Sequence, residues 1–321
     1  MFTLNVSSLS NCSFVYSLAD DVVAAKCLVG INICTSILGS LGNMVVCVAV
    51  FTTQGMTSSF HYFISSLAAA DLVIALVDQP LLIALIIAHI NSKCLPDVNL
   101  GFRAVGNFAC AVSLLTLALI ALDRCLFVSP QFDYKNTMTA KKKIVLAVVW
   151  VLACAYSAIR LTIKKEITSY LTTAVFGLCF VEMIVCYSVV YYRIFKQRKR
   201  LAASRAQNKT RIETAEQVEE LKTQTENNTT ERRFARTIVM VLVVFAAGWF
   251  LIFYLRLTQP EKNYGIMYNV ARTVALSASA INPALYCFNN KEYRRAFKKI
   301  LSSFLFGGKK KRRREKYERI W

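Results

Sequence analysis

With 321 residues, 55% hydrophobic composition and a mean hydropathy of +0.43, the chain is too apolar for an ordinary soluble domain, whose apolar usage sits near half or below. Only two histidines are present. The chain has no metal-ligand cluster, nucleophile motif or phosphate-binding glycine loop, which argues against the common enzyme chemistries. Most of the net charge of +20 falls on one side of the apolar stretches, with Lys26, Lys93, Lys164, Lys165 and Lys262 as exceptions.

Residues 1–23 form a polar leading segment with sequons at Asn5-Val6-Ser7 and Asn11-Cys12-Ser13, so Asn5 and Asn11 are candidate glycosylation sites. The segment lacks a basic n-region and a small-residue cleavage site. No removable signal peptide is expected, and the first helix serves as its own anchor. Seven mainly apolar stretches follow, each near the ~20 residues that cross the hydrocarbon as helix. They run from Ala24 to Phe51, Phe60 to Ala88, Leu100 to Val128, Ile144 to Ile163, Thr168 to Phe195, Phe234 to Leu257 and Gly265 to Phe288. The expected fold is an all-α membrane protein: one seven-transmembrane helix bundle over residues 24–288, without internal repeats.

The longest connection, Lys196 to Arg233, is rich in helix formers, so its ends should extend the fifth and sixth helices, while Thr223 to Thr230 reads as flexible. Residues 290–303 should form an amphipathic helix, with Tyr293, Phe297, Ile300 and Leu301 on one face. A basic tail, residues 304–321, contains six consecutive cations from Lys309 to Arg314, suited to anionic lipid headgroups rather than nucleic acid. Lys135, Lys141, Lys142, Lys143, the long connection and the tail all fall on one side. The positive-inside rule makes that side cytoplasmic and the amino terminus external, in a multi-pass plasma-membrane protein.

Polar marks interrupt these stretches at Asn43, Asp71, Asp123-Arg124-Cys125, Trp150 and Asn282-Pro283-Ala284-Leu285-Tyr286. Ionisable residues inside a membrane are costly and default to functional candidates. In kind and order these marks resemble the rhodopsin-like (class A) G protein-coupled receptors. The resemblance implies that Asp123 holds Arg124 in the silent state, with Glu231 as a second acidic partner. A guanidinium–carboxylate pair at such a boundary biases the bundle by about 1 kcal/mol. It further implies that Asp71 gathers Ser113, Ser279 and Asn282 around a sodium ion or water, with Asn43 nearby; a protonated, hydrogen-bonded Asp71 without an ion is the alternative. No other cofactor is implied. Tyr286 and Tyr191 match two tyrosines that approach each other on activation, Pro283 breaks the seventh helix, and Trp249 and Phe245 occupy the sixth-helix switch positions. Departures from the family pattern are Cys125 for Tyr, Ala278 for Asn, Gly248 for Cys and Leu251 for Pro.

The outer half departs further. Asn99 stands where the third-helix Cys is usual, and the loop between the fourth and fifth helices has no Cys. The usual outer disulfide cannot form, leaving Cys94 with Cys12 or Cys27 as a substitute staple. These features, with Met183 in place of the fifth-helix Pro, resemble the branch that holds melanocortin, lysophospholipid, cannabinoid and adenosine receptors. Gly106 stands where amine receptors carry Asp and Leu276 where opsins carry Lys. Leu81 and Arg103 replace melanocortin acids, and Arg256 replaces an adenosine-receptor Asn. The remaining cations, Arg103, Arg256 and Arg272, point to an anionic ligand such as a lipid acid, a lysophospholipid or a small carboxylate, or else snorkel to headgroups. The implied function is activation of a heterotrimeric G protein by outward movement of the sixth helix, with arrestin, receptor kinases and membrane lipids as further partners. Alternatives are a constitutively active or silent receptor-like protein, and a transporter, which the missing repeat symmetry disfavours.

Overall fold

The computed structural model describes residues 21–53, 56–129, 139–163, 165–208, 215–258, 265–300 and 302. Among them the long helices are α1 (Val22–Thr52), α2 (Ser59–Ile90), α3 (Pro96–Phe127), α4 (Ala140–Thr162), α5 (Lys165–Asn208), α6 (Ala215–Thr258) and α7 (Gly265–Asn289), and a short α8 covers residues 291–300. Asn5, Asn11, Leu301 and the basic tail lie outside the described residues.

Local chemistry sets several helix ends. The Thr139 hydroxyl accepts from the Lys142 amide at the start of α4, and Pro96 opens α3 with Asp97 in its first turn, where the helix dipole favours a negative charge. Large apolar side chains such as Ile37, Leu41, Val151, Leu178, Val181 and Phe250 are exposed on the outside of the bundle. In water such a surface would be an aggregation hazard; against lipid it is the expected face. Among the described residues, six helices are long and apolar enough to cross a membrane. The seventh, α7, falls short because it carries Asn269, Thr273, Ser279, Asn282 and Asn289, and all five are buried inside the bundle. Those residues serve the interior rather than the lipid.

Close helix contacts are made where small residues permit them. A Cβ on Gly42 of α1 would fall 2.9 Å from Pro283 Cγ of α7, and one on Gly248 of α6 would fall 3.2 Å from Ala275 Cα of α7. A single π turn, Ile74–Asp78, interrupts α2. The extra residue swings whatever follows by roughly 100° relative to an unbroken helix. Asp71 and Asp78, two turns apart, would otherwise share one face.

Two expectations are corrected. Thr223 to Thr230 is helical and part of α6, because the Glu- and Lys-rich stretch before it sustains a helix already nucleated in the membrane segment. Cys94 is disulfide-bonded, but Cys27 is a free thiol, so the Cys94–Cys27 pairing is not made; Cys12 lies outside the described residues.

Candidate functional site

At the C-terminal end of α3, Asp123 and Arg124 are each only 1% exposed. Arg124 donates through Nε and Nη2 to Asp123 Oδ2, the former at 3.0 Å. Two residues not anticipated from the sequence complete the cluster. Ser59 of α2 donates to both Asp123 oxygens at 3.1 Å and accepts from Arg124 Nη2 at 3.3 Å. Lys142 of α4 reaches Asp123 Oδ1 at 3.0 Å and Ser59 Oγ at 3.1 Å. The rings of Phe60 and Phe127 lie 5.6 and 5.3 Å from the guanidinium carbon, an arrangement that favours a cation in a dry setting. The Glu231 side chain lies outside those described.

Tyr286 is buried, with its hydroxyl lacking a hydrogen-bond partner, and packs on Tyr293 of α8 at 5.7 Å between rings. Tyr191 is instead 40% exposed. One turn earlier on α5, Tyr187 is buried with an unpartnered hydroxyl and within electrostatic reach of Arg124. Below Tyr286, α8 is pinned to the bundle through His61 of α2, whose Nδ1 meets the Tyr293 hydroxyl at 3.1 Å and whose Nε2 meets Glu292 at 3.3 Å. The His61 hydrogen bond outweighs the opposing burial and holds the Glu292 carboxyl below the usual range.

In the middle of the bundle Asp71 is buried and accepts from Asn282 Nδ2 at 2.8 Å. The Ser279 hydroxyl does not join it, donating instead to Leu276 O at 2.7 Å on its own helix. Ser113 is buried with its hydroxyl unpartnered. Pro283 cannot donate to the carbonyl four residues earlier, that of Ser279; Asn43 Nδ2 supplies the bond at 3.2 Å. Trp150 ties α4 to α2 by donating to Ser66 Oγ at 3.0 Å. Phe245 and Trp249 of α6 stack with Phe176 of α5 at 6.4 and 5.8 Å, in a cluster that continues to Phe253.

Toward the opposite end of the bundle, Arg103 is half-buried and the Arg256 side chain lies outside those described. Arg272 is also half-buried, its guanidinium carbon 4.1 Å from the Tyr268 ring centre and 5.0 Å from that of Phe102. Gly106 faces Asp78, a residue the sequence did not single out. Asp78 is fully buried.

A family described as "7 transmembrane receptor (rhodopsin family)" matches residues 42–167 and 159–286. The adenosine receptor A2b of Canis lupus familiaris is 25% identical, over 86% of this chain and 90% of its own length. The sphingosine 1-phosphate receptor 1 of Danio rerio is 23% identical over 88% and 80%, and the melanocortin receptor 5 of Mus musculus 24% identical over 81% and 80%. Among solved structures, squid rhodopsin superposes with a TM-score of 0.73 at 17% identity, covering 88% of this chain and 87% of that one.

Proposed function

Because the chain belongs to the rhodopsin family of seven-transmembrane receptors, we propose that it converts an extracellular ligand into activation of a heterotrimeric G protein. It sits in the plasma membrane with its amino terminus outside. The observation that carries this reading is the Arg124 cluster: a guanidinium held by Asp123 and Ser59 at 1% exposure is an unused cation stored at the cytoplasmic face. Outward movement of the cytoplasmic half of α6 opens a cleft for the G protein and releases Arg124 into it. Tyr187 and Tyr286, whose hydroxyls are idle in this closed arrangement, are the groups poised to accept new partners, and Tyr191 turns inward with α5. The Phe176, Phe245 and Trp249 rings couple ligand contacts to α6. Asp71, Asn282 and the free Ser113 hydroxyl are the groups that would hold a sodium ion, whose role would be to stabilise the closed bundle. Arrestin and receptor kinases use the same cytoplasmic face, and the basic tail meets anionic lipid.

The ligand is anionic at one end, received by Arg272, with Arg103 and Arg256 as further candidate cations. The relatives are named for adenosine, sphingosine 1-phosphate and melanocortin, chemistries too different to choose among, so the choice rests on this chain's cations. G protein activation by the native chain, basal and with a panel of lipid acids, lysophospholipids and small carboxylates, is compared with Arg124→Ala at matched surface expression. Activity in the native chain that disappears in the variant is the expected result. No activity from the native chain across all G protein classes would overturn the coupling and leave a silent receptor-like protein.

A further inference from the structure

Gly106 leaves α3 without a carboxylate at the position where amine receptors carry Asp. The structure supplies one from another helix. The π turn ends at Asp78 and rotates its side chain onto α3, so that a Cβ built on Gly106 would lie 3.0 Å from Asp78 Oδ2 and 3.3 Å from Oδ1. The carboxylate thus fills the space an α3 side chain would need, and glycine is the residue that admits it.

Asp78 is fully buried, and neither of its oxygens has a hydrogen-bond partner. Buried polar groups in native proteins are nearly always paired, and a carboxylate is the most costly to leave unpaired. The charged group that acts on it is Arg272 of α7, yet the two make no direct ion pair. Arg272 is held instead over Tyr268 and Phe102, half-buried. An unpaired acceptor and a restrained cation of opposite sign therefore act on each other in the outer half of the bundle without a direct hydrogen bond between them.

We propose that Asp78 and Arg272 form a two-point site for a compact zwitterion: its protonated amine donates to Asp78 and its acid group is received by Arg272. This rests on the receptor reading above and adds to the anionic ligand a required cationic end. An ammonium donates up to three hydrogen bonds and neutralises the carboxylate, while Arg offers a planar fork to a carboxylate or phosphate.

The test uses the full chain in cells and as purified receptor. Glycine, β-alanine, γ-aminobutyrate and the common amino acids are compared with the matching acids lacking the amine and amines lacking the acid, all at matched surface expression. The expected result is activation by at least one zwitterion, with potency falling about 10- to 100-fold when either charged end is removed. Asp78→Asn, and Gly106→Ala with its methyl group driven against the carboxylate, should lose that response while Arg124-dependent basal signalling persists. Persistence of the basal signal separates failure of this site from failure of the receptor reading. The site is overturned if none of the zwitterions acts. It is equally overturned if the matching acids act undiminished and insensitively to Asp78→Asn. Replacing sodium by choline is the remaining arm: stabilisation by sodium that Asp78→Asn removes would identify a metal-cation site and overturn the amine assignment.

Discussion

Asp123 answers to two cations, Arg124 and Lys142, so Lys142 competes for the carboxylate that restrains Arg124. Replacing Lys142 by Met keeps the apolar stem and removes one positive charge from a dry cluster. Asp123 then binds Arg124 alone. Basal G protein activation should fall roughly five-fold, equivalent to about 1 kcal/mol. Asp123→Asn removes the only carboxylate among the described groups of the cluster and leaves two cations facing each other, and basal activation should rise by a similar factor. A rise in Lys142→Met at matched surface expression would show that the lysine holds the acid in place instead of competing for it. At this scale the individual charges inside the membrane were legible in the sequence, because Asp71, Asp123 and Arg124 are expensive where they stand. Asp123 as the neighbour of Arg124 and Asn282 as that of Asp71 were named from the chain as well. Ser59, Lys142 and Asp78 were not, because they come from other helices and which face they present depends on helix rotation. At Asp78 that rotation is set by a π turn, for which the sequence of α2 has no pattern that hydrophobic periodicity detects.

Among elements, the contact of α1 with α7 depends on Gly42. The Pro283 ring, 2.9 Å from a Cβ at that position, is rigid and cannot swing away as a long side chain would. Gly42→Val should force the helices apart and cost about 1–3 kcal/mol, read as a lower melting temperature of the purified receptor. Asn43→Leu leaves the Ser279 carbonyl without the donor that replaces the missing proline N–H, and the expected loss is again about 1–3 kcal/mol. An unchanged melting temperature in Asn43→Leu would mean that water replaces the amide. That Pro283 would free a carbonyl could be read from the chain alone, because proline chemistry is local. That Asn43 would supply the donor, and that Thr223 to Thr230 would continue α6, depended on neighbouring turns and helices. Membrane spans were visible as apolar runs even for α7, whose polar residues mark the face it turns inward.

Across the whole molecule, the described partners of Asp123 and Arg124 lie on α2, α3 and α4, whereas the aromatic cluster that moves α6 lies between α5 and α6. Phe60, which lies over the Arg124 guanidinium, stacks on Phe234 of α6 at 4.2 Å between ring centres, and both devices would bias a single equilibrium between closed and open bundles. Asp123→Asn loosens the first and Phe245→Ala the second. If both act only through that equilibrium, their effects on basal signalling add as free energies, within about 0.5 kcal/mol in the double variant. A coupling above about 1 kcal/mol would mean that α6 acts on the Arg124 cluster by a direct route, through the Phe234–Phe60 stack or through an ion pair from Glu231. Adding Glu231→Gln to the same cycle decides between them: coupling that vanishes with the glutamine assigns the route to Glu231, and coupling that survives it sends the α6 signal through Phe234 and the Phe60 ring over Arg124.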